Sequence, residues 1–260
     1  MQKYKLFLIA LALTVTSLPL HADSEGGLVA DVEAEKKINK KWSVDLGAEL
    51  RTRNDFKTLD RWKFGISGSY KFNKYLKADA GYDLLNYNNR EKVEYYTSSS
   101  GNAKIKWRPS YWGIKHRFHV SLTGNYKFSN GIKVSLRERW QYAYRPEKST
   151  ERYKMKISDQ TMELDDTYVR NSKSKHLLRS KLQVEYDRKH NLLTPYLSAE
   201  MFNGWNTEKV RYTVGTDINV TKQHIFKVFY RYQKPYDTSD SDYDYDPDMH
   251  YIGVGYKYKF

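Results

Sequence analysis

The stretch Trp42-Ser43-Val44-Asp45-Leu46-Gly47-Ala48-Glu49-Leu50-Arg51 decides the fold. Trp42, Val44, Leu46, Ala48 and Leu50 occupy every second position, and polar or small residues fill the places between them. Successive side chains of a strand point to opposite faces, so this run is a strand with one apolar and one polar face. The same period returns at 61–72. There Trp62, Phe64, Ile66, Gly68, Tyr70 and Phe72 share one face, and Arg61, Lys63, Ser67, Ser69 and Lys71 share the other. Ordinary strands run about 5–6 residues, whereas a tilted membrane-crossing strand needs about 9–11.

Working outward, the alternation marks eleven segments: 28–38, 42–53, 61–72, 75–87, 113–127, 132–145, 176–187, 193–202, 209–220, 224–234 and 249–260. The connections alternate in length. Asn39-Lys40-Lys41, Asn73-Lys74, Phe128-Ser129-Asn130-Gly131, Arg188–Leu192 and Thr221-Lys222-Gln223 are short, while 88–112, 146–175 and 235–248 are long. Short turns at one rim and long loops at the other predict an all-β, antiparallel up-and-down transmembrane β-barrel. Such closure pairs every backbone group, which an open sheet in lipid cannot do. Bacterial single-chain barrels are even-numbered, so ten or twelve strands are expected: either 28–38 is not a full wall strand, or one strand escapes the pattern. A C-terminus in the periplasm, with the mature N-terminus beside it, follows from an even count.

The composition agrees. Of 260 residues, 24 are Tyr, 10 Phe and 6 Trp, yet the mean hydropathy is strongly negative, which excludes a helical membrane protein. The absence of Cys excludes a disulfide scaffold, a thiolate metal site and a Cys nucleophile. Met1–Lys5 carries Lys3 and Lys5, Leu6–Val15 is almost wholly apolar, and a small residue follows at Ala22. This reads as a secretory signal, 1–22, ahead of a single barrel domain, 23–260. The apolar run is too short for a spanning helix, which needs about 20 residues. Without Lys3 and Lys5 the formal charge of +14 falls to +12. Trp42, Tyr70, Phe72, Tyr75 and Tyr126 stand beside short turns, and Trp140, Tyr142, Tyr144, Tyr230 and Tyr232 stand towards long loops. Two such girdles match the two headgroup layers of a bilayer.

Several segments carry a resemblance: Lys36-Lys37-Ile38-Asn39-Lys40-Lys41-Trp42, Ala48-Glu49-Leu50-Arg51-Thr52-Arg53, Leu136-Arg137-Glu138-Arg139-Trp140-Gln141-Tyr142, Leu178-Arg179-Ser180-Lys181-Leu182, Pro195–Phe202 and Arg211–Asp217. Together they resemble the outer-membrane barrel family called domain of unknown function 2490, over essentially the whole chain after the signal. The resemblance implies a barrel in the outer membrane of a Gram-negative bacterium and supplies no activity or binding residue. More distantly the chain resembles the oligogalacturonate and sialic-acid porins, which implies a narrow barrel with a basic lumen. The final strand ends on Phe260 and resembles the signal read by the barrel-assembly machinery.

If apolar faces meet lipid, the alternate residues meet the lumen. Arg51, Arg117, Arg137, Arg139, Arg179, Lys181 and Arg211 form the expected basic ladder, and Asp31, Glu33, Asp45, Glu49 and Glu200 the acidic counter-face. The acids concentrate on the first two segments and the bases on 113–181, so the two arcs are expected to oppose each other. Arg is suited to gripping carboxylate or phosphate with its planar fork. A narrow channel for passive diffusion of small anionic solutes is the favoured function, with a structural or adhesive barrel acting through long loops as the alternative. Charge-filled small barrels also exist.

Other signals are weaker. His116, Glu138 and Ser180 break the lipid-facing register and suggest a barrel hydrolase. In a hairpin turning near 129–130, however, Glu138 faces Val120, roughly 13 Å along the strand from His116. A bulge turning Glu138 inward is expected instead, and no enzyme activity. His116 and His119 point to opposite faces of one strand, which rejects a metal pair. Asp237-Thr238-Ser239-Asp240-Ser241-Asp242-Tyr243-Asp244-Tyr245-Asp246-Pro247-Asp248 lacks the Gly and Glu of a calcium loop and reads as solvated. No metal or cofactor is expected. Bases spread over alternating strand positions do not suit nucleic acid. Membrane lipids and lipopolysaccharide phosphates are the expected surface partners, the latter at Arg145, Lys148, Arg152, Lys154 and Lys156.

Overall fold

The computed structural model describes residues 24–97, 103–156, 161–188, 191–236 and 247–260. The signal segment 1–22 and the acidic loop from Asp237 to Asp246 lie outside the described residues. Eleven strands close into a barrel: β1 (Ser24–Lys37), β2 (Trp42–Arg53), β3 (Thr58–Lys71), β4 (Leu76–Asn89), β7 (Tyr111–Lys127), β8 (Ile132–Arg145), β11 (Lys173–Tyr186), β12 (Leu193–Asn203), β13 (Thr207–Asn219), β14 (His224–Pro235) and β15 (Asp248–Lys259). Four more strands, β5 (Lys92–Thr97), β6 (Ala103–Arg108), β9 (Lys148–Lys156) and β10 (Met162–Arg170), make a separate sheet in the order β10-β9-β6-β5.

The even count does not hold. All eleven alternating segments are wall strands, and β1 is a full one, paired with β2 on one side and β15 on the other. An odd number of up-and-down strands forces the first and last to run the same way. The seam is accordingly parallel, from Ser24 opposite Asp248 to Glu35 opposite Lys259. Ser24 and Phe260 therefore stand at opposite rims, and the expectation that both chain ends share one side fails. Phe260 closes the seam by donating its backbone N–H to the Glu35 carbonyl at 2.9 Å.

The short turns follow from side chains that replace backbone partners. Asn39 Oδ1 accepts from Lys41 N and Trp42 N, Asn73 Oδ1 from Tyr75 N and Leu76 N, and Asn130 Oδ1 from Ile132 N. Thr221 Oγ1 serves Gln223 N and His224 N in the same way. Gly131 takes φ +94°, a conformation a Cβ resists.

The barrel is inside out relative to a soluble domain. Phe64 (53% exposed), Leu50 (50%), Val120 (51%), Leu136 (50%) and Leu182 (50%) lie on the outer surface, while Arg51, Arg53, Arg179, Glu200 and Arg211 are buried within. Soluble monomers rarely expose so continuous an apolar surface. Aromatic contacts ring both rims: Trp42–Tyr70 at 4.7 Å and Tyr258–Phe260 at 4.6 Å by the short turns, and Tyr142–His176 and Tyr232–His250, each at 5.1 Å, towards the long loops. This is an outer-membrane-type β-barrel. A small apolar cluster, Val29, Phe229, Met249 and Tyr251, fills the lumen beside the seam.

Candidate functional site: a basic lumen

Register places the lumen charges in lateral rows across neighbouring strands. One row reads Arg137 on β8, Lys181 on β11, Glu200 on β12, Arg211 on β13 and Gln233 on β14. The next row towards the long loops reads Ser121 on β7, then Arg139, Arg179, Phe202 and Lys209. Arg137 thus faces Lys181 and Arg139 faces Arg179, and like charges placed directly across a ladder destabilise it. Glu200 offsets this. Its Oε1 accepts from Arg137 Nη2 and Arg179 Nη2, both at 2.7 Å, and its Oε2 from Arg211 Nη1 at 3.1 Å. Phe202 supplies the second support: Arg179, Arg211 and Lys209 lie 4.4, 4.7 and 4.9 Å from its ring centroid. A ring face attracts cations that are shielded from water. Arg139 is held by Ser121 Oγ at 2.7 Å and Asp79 Oδ2 at 3.2 Å.

Among the described residues, a pair of cavities stands one above the other in the lumen. The one towards the long loops has about 540 Å³ and the one towards the short turns about 350 Å³. Arg137, Arg139 and Lys181 line both, so these three cations form the partition between them. The larger chamber is lined by 16 Lys and Arg side chains and only 5 Asp and Glu. The smaller one has Lys77 and the three partition cations against Glu33, Asp45 and Asp79. Positive charge is therefore graded along the barrel axis.

The acidic counter-face splits between the two ends. Glu49 lines the larger chamber and holds Arg51 at 2.7 Å and Arg61 at 3.3 Å. Asp31 stands directly across the β1–β2 ladder from Glu49; Glu33 and Asp45 lie towards the short turns; and all three are engaged by lysines across the seam. Lys227 reaches Glu33 at 3.0 Å and Asp31 at 3.7 Å, and Lys257 reaches Glu33 at 3.6 Å and Asp45 at 3.8 Å. β1 and β8 do lie across the ring from each other. The field between them is weakened, however, because adjacent strands neutralise the acids first. Arg117 is spent on Asp83 at 2.7 Å. Lys63, Lys181, Lys209 and Arg231 have no carboxylate within ion-pair distance among the described residues. Arg231 buries Nε and Nη1 without a hydrogen-bond partner and rests on the Phe229 ring at 4.6 Å.

Sequence reasoning passed over Phe202 and Lys209. Their alternation with Glu200 and Arg211 put them on the lumen face, but only register reveals that they meet. The candidate hydrolase residues do not converge. Ser180 Oγ donates to Glu138 Oε2 at 2.6 Å, while His116 Nδ1 bonds the Tyr82 hydroxyl at 2.7 Å. Glu138 faces Leu122 rather than Val120, and β8 carries no bulge, so Glu138 stays on the outer face with Ser180. His119 points inward, 3.6 Å from Asp79 and 3.7 Å from Asp83. Among the described residues no cluster of three His, Asp or Glu could hold a metal ion.

No curated protein matches the sequence. Among solved structures, the β domain of the Bordetella autotransporter BrkA is similar at 13% identity and a TM-score of 0.47, over 83% of this chain and 79% of that one. The family model described as "protein of unknown function (DUF2490)" matches residues 30–244, and the chain belongs to that family.

Proposed function

We propose that this chain is a narrow outer-membrane channel for passive diffusion of small anionic solutes, with no enzyme activity. The observation that carries the reading is the three-cation partition, Arg137, Arg139 and Lys181, shared by two lumen cavities. Charged rings at a constriction select ions by sign. The apolar outer belt would meet lipid, lipopolysaccharide would surround the long-loop rim, and the strand ending at Phe260 would engage the assembly machinery. The test is single-channel recording of the refolded chain, 23–260, in a planar bilayer under a salt gradient. Steady conductance with an anion-selective reversal potential, reduced in selectivity by Arg137→Ala with Arg139→Ala, supports the reading. A folded but silent barrel sinks it.

One observation favours a second reading, an adhesive barrel: a four-stranded sheet rises from the long-loop rim. That reading expects removal of residues 147–174 to abolish a surface phenotype and leave conductance unchanged.

A further inference from the structure

The larger chamber holds far more positive charge than its own acids balance. Its wall carries 16 Lys and Arg against 5 Asp and Glu, an excess of eleven. The smaller chamber carries four cations against three acids, an excess of one. The acids of the larger chamber are also committed. Glu49 holds Arg51 and Arg61, Asp60 holds Arg53, and Asp83 holds Arg117. Glu200 holds Arg137, Arg179 and Arg211, and Glu208 holds Lys175.

Arg231 is left over by this pairing. It stands on β14 with Thr213 and Tyr251 directly across the ladders, and Phe229 and Gln233 two positions away along the strand. None of these four neighbouring lumen positions is acidic. Nε and Nη1 of Arg231 are buried without a hydrogen-bond partner. The Phe229 ring, 4.6 Å away, attracts the charge through the face of the guanidinium. It leaves unanswered the N–H donors, which lie at the edge of the guanidinium plane. Arg51, Arg179 and Arg211 rest on rings as well, yet each also donates to Glu49 or Glu200. Lys209 lines the same chamber with Phe202 and Pro235 across from it, and it too lacks a carboxylate within ion-pair distance among the described residues.

A buried charged donor without an acceptor is costly, and a planar fork matches the edge of a carboxylate or phosphate group. One monovalent ion would answer Arg231 and leave the rest of the excess in place. A solute with several acidic groups answers it in one molecule, because once the first group is seated the next binds at high effective concentration. The chamber volume of about 540 Å³ lies within the range of small-ligand sites, so such a solute is compact.

We propose that the larger chamber is a binding site for one compact polyvalent anion, a solute carrying two or more carboxylate or phosphate groups, with one of those groups seated on Arg231. This names the substrate class of the channel. The binding step stands by itself, and only passage rests on the channel reading. Passage then follows the charge: the solute is held where the excess is eleven and released, across Arg137, Arg139 and Lys181, where it is one.

The test is calorimetric titration of the refolded chain in detergent with acetate, citrate, orthophosphate and triphosphate, followed by bilayer recording in chloride with the same probes added. Citrate should bind at least about tenfold more tightly than acetate, and triphosphate than orthophosphate, because Coulomb attraction grows with valence. The tighter of citrate and triphosphate identifies the acidic group. Each should bind one per chain and reduce chloride current to a saturating level. Arg231→Gln should weaken both by about tenfold or more, as the loss of charged hydrogen bonds does. Arg231→Lys keeps the charge without the fork and should recover only part of the affinity. Lys77→Gln removes one charge from the smaller chamber and should leave both affinities unchanged. Equal affinity across the valences overturns the proposal. So does an equal loss in Arg231→Gln and Lys77→Gln, because lumen charge as a whole would then set affinity. If Arg231→Gln does not fold, full affinity in Arg231→Lys overturns the docking of an acidic group on the fork. A barrel that binds citrate or triphosphate through Arg231 but passes no current removes the channel reading and leaves the site standing. A conducting barrel indifferent to valence does the reverse.

Discussion

Glu200 is the residue on which the lumen turns, because one carboxylate holds three guanidinium groups from three strands. Removing one member of a buried ion pair strands its partner in a medium that cannot solvate it. Glu200→Gln should lower unfolding stability in lipid vesicles by about 3 kcal/mol. It should also raise anion selectivity, because a neutralising charge leaves the partition while the cations remain. Gly253 is fixed by packing instead. A Cβ there would run into the Phe229 ring, which is itself buried beside Val29 and Tyr251. Gly253→Ala should destabilise by roughly 1–3 kcal/mol, as overpacked cores do, measured by urea unfolding. Glu138 sits at the middle of β8 and bonds Ser180 on the outer face. Carboxylates facing lipid are unfavourable, though less so than cations. Glu138→Leu with Ser180→Ala should therefore raise stability by about 1 kcal/mol. A fall instead would mean that Glu138 faces another protein surface.

At the scale of elements, the wall strands are legible because alternation is dictated one residue at a time. The short turns are legible for the same reason: Asn39, Asn73 and Asn130 act within three residues of themselves. The β5–β6 and β9–β10 hairpins fall in stretches the sequence presents as loops, 88–112 and 146–175. Their strands are short, a bulge between Leu164 and Asp166 breaks the alternation of β10, and β6 and β9 find each other only across the 39 residues of chain between them. Wall and extension are joined through Pro109-Ser110 and Pro146-Glu147, where proline removes a ladder donor. The extension should accordingly be separable. A chain lacking residues 148–170 should still fold and keep its resistance to denaturation in detergent, because every pairing of β8 with β7 and β11 lies outside the deletion. Loss of the folded species on a semi-native gel would overturn this separation.

At the scale of the whole molecule, the odd strand number and the axial charge gradient matter most. Parallel pairing is slightly weaker per residue than antiparallel pairing. The β1–β15 seam should therefore lose protection first in hydrogen exchange, ahead of the β7–β8 hairpin. The charge gradient sets a further expectation: current should differ between the two voltage polarities even in symmetric salt. That asymmetry should shrink towards 1 M salt, where screening shortens to about 3 Å. An unchanged asymmetry at high salt would place its origin in shape rather than charge.

The sequence by itself determined the barrel, the eleven alternating segments that supply its wall and the short turns between them, though it set the wall at ten or twelve strands and turned Glu138 inward. These depend on period and on neighbours within a few residues. Tertiary structure alone decided three things. An odd count closes through a parallel seam, because closure is a property of the ring and not of any strand. Arg179, Arg211 and Lys209 gather on Phe202 beside Glu200, because lateral neighbours are set by the register between strands. The long connections rise together as a second sheet, because β6 and β9 have no reason to pair until the wall beneath has brought β7 beside β8.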